Sequence, residues 1–148
     1  MVDKKDILVL EALKQNARLS SQEISRITRI PITTVHNRIK KLEKLGIIKS
    51  YTVVLDHKKL GKEIAAYILI TVDYKLLKEK GITQHDLAKL LAKNELIEEV
   101  AILTGGSDII IRIRVGNIEQ LDYFVTKYLR NIDGVEKTQT TVVLSNFK

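Results

Sequence analysis

The stretch from Ile30 to Gly46 constrains the fold more than any other part of the chain. Wound as a helix, it divides into two faces. Ile32, Val35, Ile39 and Leu42 recur at helical spacing, with Leu45 at the margin. Thr33, Asn37, Lys40 and Lys44 fall on the opposite side, flanked by His36 and Lys41. The apolar stripe has to dock on a small core. The polar side offers a hydroxyl and an amide near the helix start and cations further along. That arrangement suits a helix lying in the DNA major groove, with polar groups at base edges and lysines at phosphates. A solvated amphipathic helix carries the same pattern, so the surroundings have to decide.

The sequence on either side of that stretch changes period. From Asp3 to Gly46 the pattern is helical throughout. Ile7, Leu10 and Leu13 recur at three-residue steps with Leu8 beside them, and Asp3 is placed to cap the first helix. Asn16-Ala17-Arg18 breaks that helix. Ser20-Ser21-Gln22-Glu23 reads as a capping box, with Leu19 set to staple onto Ile24. The second helix runs through Ile24 and Ile27. Arg29-Ile30-Pro31 turns the chain, Pro31 suits the first turn of the third helix, and Gly46 suits its end. Ile47–Asp56 is β-rich and is expected to form a strand or hairpin arm. His57–Lys62 is a polar connector.

Beyond the connector, strands and helices alternate. Strands are expected at Ala65–Tyr74, Ile97–Leu103, Asp108–Val115 and Val135–Leu144, and helices at Thr83–Lys93 and Ile118–Arg130. In Asp108–Val115 the residues Ile109, Ile111 and Ile113 alternate with Ile110, Arg112 and Arg114, so one face is apolar and the other turns cationic. The order βαββαβ is that of ferredoxin-like folds. The expected architecture is therefore α+β: a three-helix, winged helix-turn-helix domain over residues 1–62, followed by a ferredoxin-like effector-binding and oligomerisation domain over 63–148.

Charge separates the same two parts. Residues 1–62 hold 14 Lys and Arg against 6 Asp and Glu, a balance of +8, whereas residues 63–148 hold 11 against 12, a balance of −1. The positive excess of the whole chain lies in its helical opening, which points to a polyanion-binding module joined to something near neutral. The chain has no Cys, which excludes disulfides and thiolate metal sites. No apolar run approaches the roughly 20 residues of a spanning helix, and the start enters an amphipathic pattern with no apolar signal core. A cytoplasmic protein without membrane contact is expected. His36, His57 and His85 lie in three different elements, with no metal-ligand spacing, phosphate-binding loop or nucleophile elbow. No catalytic residue, metal or cofactor is assigned.

These pieces together resemble the Lrp/AsnC family of transcription regulators, in its archaeal style. The resemblance covers essentially the whole chain. It rests on the three-helix opening, the run Pro31–Glu43, the exit Gly46-Ile47-Ile48-Lys49-Ser50-Tyr51, the turn Thr104-Gly105-Gly106-Ser107-Asp108 with the family's Gly-x-x-Asp spacing, and the strand after Gly134. It implies a helix-turn-helix regulator of double-stranded DNA with a ferredoxin-like effector domain. It also implies homodimers, possible octamers of four dimers, and an amino-acid effector.

Residue by residue, Thr33, Thr34, His36 and Asn37 are the candidates for base contact, at the part of the third helix that enters the groove. Arg29, Arg38, Lys40, Lys41 and Lys44 are phosphate candidates, and Ser21 and Gln22 can donate to phosphate from a helix N-terminus. Arg38 lies nearer the apolar side, so a structural ion pair, with Glu11 for instance, competes with the phosphate role. Arg29 stands where helix-turn-helix proteins favour Gly. Either its backbone is left-handed, at about 1 kcal/mol, or the turn avoids positive φ. For an effector, Thr104, Gly105, Gly106, Ser107 and Asp108 form the best place: glycine N–H groups suit a carboxylate and Asp108 an ammonium. That turn is expected to join two central strands. Thr138 and Thr140 are further effector candidates. Two other readings remain open from sequence: an amino-acid sensor acting on a protein partner without DNA, and a small hydrolase on the same fold.

Overall fold

The computed structural model describes residues 1–148 and divides them into two compact units, Met1–Leu55 and Asp56–Lys148. The division falls before the polar connector. The turn at 57–61 goes with the second unit, where the Gly61 carbonyl crowds Gly116 and His57 faces Glu98.

The first unit holds three helices: α1 (Lys4–Gln15), α2 (Ser21–Thr28) and α3 (Ile32–Lys44). Two capping boxes set their starts. In α1, Asp3 accepts from the Asp6 amide while the Asp6 carboxylate accepts from the Asp3 amide; in α2, Ser20 and Glu23 do the same. The core is Val9, Ala12, Leu13, Ile24, Ile30 and Val35, with Leu19, Ile39 and Ile48 packed against it. The buried face of α1 is therefore Asp6, Val9, Ala12 and Leu13. Of the expected stripe Ile7, Leu10 and Leu13 with Leu8, Leu13 is buried and Leu10 half-buried, while Ile7 and Leu8 are about half exposed, at 51% and 49%. A buried carboxylate on the core face hides that face from any reading by hydrophobic period. Ile27, Ile32 and Leu45 are exposed as well, so α2 and α3 bury narrower stripes than expected.

Residues 47–56 do not form the expected strand. Ile47 and Ile48 continue the turn after α3, both amides donating to the Leu42 carbonyl, and 51–56 has no ladder partner in the chain. β-prone residues make a strand only beside another strand.

The second unit is a four-stranded antiparallel sheet in the order β2-β3-β1-β4. Its strands are β1 (Ile64–Val72), β2 (Ile97–Ile102), β3 (Ile109–Val115) and β4 (Val135–Val142). Ala66, Ile68, Ile70 and Val72 of β1, with Ile109, Ile111, Ile113 and Val115 of β3, form one buried face. It is covered by α4 (Tyr74–Lys80), α5 (Gln84–Leu91) and α6 (Ile118–Tyr123) through Leu77, Leu87, Leu91 and Leu121. Past α6 the chain makes a π turn at Phe124–Tyr128 and a 3₁₀ turn at Leu129–Asn131, which bury Phe124 and Leu129. Helix α4 lies between the expected strand and the expected helix at Thr83, where no element is expected. Asp73 caps it and Gly81, at φ 67°, ends it.

The opposite face of the sheet carries no helix. Tyr67 and Leu69 of β1 and Ile110, Arg112 and Arg114 of β3 lie there, half-buried. Arg112 sits 5.5 Å over the Tyr67 ring, and Glu98 accepts from Arg114 at 2.7 Å.

Candidate functional site

The polar side of α3 is free. Thr33, His36, Asn37, Lys40 and Lys44 are exposed and Thr34 is half-buried, and none of their side chains makes a hydrogen bond or ion pair within the chain. Helix α3 starts at Pro31 without a side-chain cap and without an acidic residue in its first turn. Its leading N–H groups and positive dipole end are therefore open to an anion. Both other helices of the unit have their starts closed by capping boxes. Ser20 is occupied as a cap, while the side chains of Ser21 and Gln22 in the first turn of α2 are unengaged.

Arg29 lies at the C-cap of α2 with φ 59° and ψ 24°, the only non-glycine residue at positive φ in the chain. The left-handed alternative is the one realised. The strain is of the order of 1 kcal/mol, and the guanidinium is left exposed and unpaired beside the start of α3.

Arg38 and Lys41 are placed differently. Arg38 Nη1 stands 2.6 Å and 2.7 Å from the two carboxylate oxygens of Asp3 and 2.8 Å from Asp6; Lys41 Nζ stands 2.8 Å from Asp6 and also donates to the Met1 carbonyl. Asp6 is fully buried. The hydrogen bond from Lys41, then that from the Asp3 amide and that from Arg38, hold its carboxyl far below the usual carboxylate range. Arg38 likewise holds Asp3 below its ordinary value. The structural ion pair expected as a rival role for Arg38 exists, but on Asp3 and Asp6; Glu11 pairs with Lys14 instead. Arg38 and Lys41 thus tie α3 to α1 rather than face outward with Lys40 and Lys44. Asp6, which sets this geometry, was missed by sequence reasoning. Its signal was the Asp3/Asp6 spacing of a capping box, one turn before a helix rich in cations.

The turn at Thr104–Asp108 links the edge strand β2 to the inner strand β3, not two central strands. Thr104, Gly105 and Gly106 are exposed, and Ser107 is half-buried. The Asp108 carboxylate accepts from the Val72 amide at 2.8 Å and from the Tyr74 hydroxyl at 2.9 Å, and its carbonyl accepts from Gln84 at 3.0 Å. It fastens the turn to β1, α4 and α5 as well as presenting a charge. Thr138 pairs with Ile70, which pairs with Ile109, so Thr138 stands two strands from the turn, about 10 Å at ordinary strand spacing. Thr140 is opposite Ile68, further along. The register does not bring either threonine to the turn.

A basic three-helix head with an open helix face, joined to a ferredoxin-like unit, defines a DNA-binding regulator of the helix-turn-helix class with an effector domain. Comparison with known proteins agrees: residues 2–49 match winged helix-turn-helix DNA-binding, and residues 65–148 match the Lrp/AsnC ligand binding domain. The chain belongs to the Lrp/AsnC family. It is 38% identical to an HTH-type transcriptional regulator of Pyrococcus furiosus over 148 residues, which is 100% of this chain and 96% of that protein. It is 37% identical to the HTH-type transcriptional regulator FL11 of the same organism, over 99% of this chain and 90% of that one. Among solved structures, a transcriptional regulator of Neisseria meningitidis in complex with L-Met superposes with a TM-score of 0.90 at 25% identity, covering 100% of this chain and 93% of that one. AsnC of E. coli superposes at 0.82 with 27% identity, covering 99% and 94%. No helix of this chain is long and apolar enough to cross a membrane.

Proposed function

We propose that this regulator reads duplex DNA in the major groove with the first half of α3. Thr33, Thr34, His36 and Asn37 reach base edges there. Arg29, Lys40 and Lys44 contact phosphate, with Ser21 and Gln22 donating from the start of α2. Arg38 and Lys41 hold α3 in place and are left out of the contact surface. The observation that carries this reading is the unpaired polar side of α3 behind an uncapped, acid-free N-terminus. The protein acts in the cytoplasm as a binding protein rather than an enzyme.

One head reads only a short half-site, so specific binding needs two heads. The second unit supplies the dimer. Its helix-free sheet face, with Tyr67, Leu69 and Ile110 half-buried in a single chain, suits a second copy, and four such dimers make an octamer. The effector is a zwitterionic amino acid held at Thr104–Asp108, its carboxylate on the exposed turn amides and its ammonium on Asp108 in exchange for the Tyr74 hydroxyl. The L-Met complex of the similar Neisseria protein supports that ligand class.

Binding of the full chain to duplex DNA over a range of salt tests the reading. Several phosphate contacts predict a steep linear fall of log affinity with log salt. A sensor without DNA, or a hydrolase, shows no duplex binding at physiological salt.

A further inference from the structure

Helix α3 is gripped on both flanks. On one flank, Arg38 and Lys41 bind the carboxylates of α1. On the other, the Tyr51 hydroxyl donates to the Glu43 carboxylate at 2.7 Å. Helical spacing puts Glu43 and Lys41 on opposite sides of the stripe formed by Thr33, Asn37, Lys40 and Lys44. The second grip joins α3 to the segment by which the chain leaves the head. That segment turns at Gly46, φ 67°. It is held by the Ile47 and Ile48 amides on the Leu42 carbonyl and by Ile48 against the core. Beyond Ile48, Tyr51–Glu43 is its one side-chain hydrogen bond to the helices; Val53 and Val54 are exposed, at 73% and 101%. Tyr51 is 49% exposed, so packing covers it only in part, and its hydroxyl supplies the directed contact to α3.

We propose that the Tyr51–Glu43 hydrogen bond fixes the direction in which the exit segment leaves the head, so that Tyr51 is a positioning residue for reading two half-sites at once. The proposal rests on the two-headed reading above. Once one head is bound, the second meets its half-site at an effective concentration set by the length and stiffness of the connection. A clasp three residues past the Ile48 anchor removes freedom from that connection, while α3 itself stays held by Arg38 and Lys41. It touches no base, so a single head gains nothing from it.

The test uses full-length protein and duplexes carrying one or two copies of a half-site selected from random DNA, with the spacing between copies varied. The variant is Tyr51→Phe, which keeps the ring and removes only the donor. The expected result is a roughly three- to tenfold loss of affinity for the two-site duplex, a broader spacing profile and unchanged single-site affinity. Glu43→Gln, which keeps an acceptor, retains more of the spacing preference than Tyr51→Phe. Equal losses on one-site and two-site duplexes, or no loss on either, overturn the positioning role, since a merely structural bond would move both together. Wild-type protein that does not prefer two sites to one brings down the two-headed reading and this proposal with it. Wild-type preference that Tyr51→Phe leaves intact brings down this proposal alone.

Discussion

Replacing Asp6 with Ala removes the centre of the ionic cluster between α1 and α3. The Asp6 carboxylate is fully buried and accepts from Lys41 at 2.8 Å, Arg38 at 2.8 Å and the Asp3 amide at 3.0 Å. Removing one partner from a buried ionic cluster costs about 3–5 kcal/mol, because the charges left behind lose their compensation. Two features put this site at the low end. Arg38 keeps both oxygens of Asp3, and Lys41, 39% exposed, can turn to water. Half of the α1 capping box is lost as well, which is worth about 1 kcal/mol and lies inside that total. The head should therefore lose about 3 kcal/mol, which is roughly a hundredfold in protection. Amide hydrogen exchange along α1 and α3 reads this without interference from the second unit. The pH dependence follows from the depressed carboxyl. A group whose folded value lies below its unfolded value stabilises the fold above the unfolded value, near 4, and that stabilisation is lost as pH falls through and below it. Wild-type protection should be flat from pH 7 to pH 5 and decline below about 4; in Asp6→Ala much of that decline should be gone. A change in protection of less than tenfold at pH 7, or an unaltered acid decline, refutes the reasoning.

Arg29→Gly relieves a left-handed backbone at φ 59°; it should stabilise the head by about 1 kcal/mol, seen in urea melts, while weakening binding to all duplexes alike and reducing the salt slope. Gly134→Ala should destabilise the second unit by about 2–3 kcal/mol, because the added Cβ would stand 2.5 Å from a Leu77 methyl at a φ of 96°; a fall in melting temperature of less than 2 °C would contradict this. Asp108→Ala orphans the Val72 amide and should cost about 1–2 kcal/mol; in a thermal-shift screen of the twenty amino acids, the one that raises the melting temperature of wild type should have no effect on the variant.

The parts of this molecule that follow from local rules were legible in the sequence. Capping at Asp3 and Ser20, the end of α3 at Gly46 and the buried Ile109/Ile111/Ile113 face each depend on residues a few positions apart. What escaped depends on partners far along the chain. The core face of α1 was misread because its first member is a carboxylate, neutralised by cations 32 and 35 residues away. Helix α4 is not among the expected elements, which leave 75–82 unassigned, although Asp73 and Gly81 bracket it with a cap at each end. The 47–56 strand was expected from residue type alone, and type cannot supply a partner. The exposed polar face of α3 is legible from helical period. That Arg38 and Lys41 leave it required knowing that α1 brings two acids against them.

Paired substitutions on the reading face, measured in parallel on the selected site and on random duplex across a range of salt, test the central claim most directly. Asn37→Ala should lose about 1–3 kcal/mol on the selected site and little on random DNA, with the salt slope kept. Lys40→Ala should weaken both alike and lower the slope by about one. If Asn37→Ala reduces both affinities equally, or if neither substitution changes binding, α3 does not read DNA by this face and the account fails.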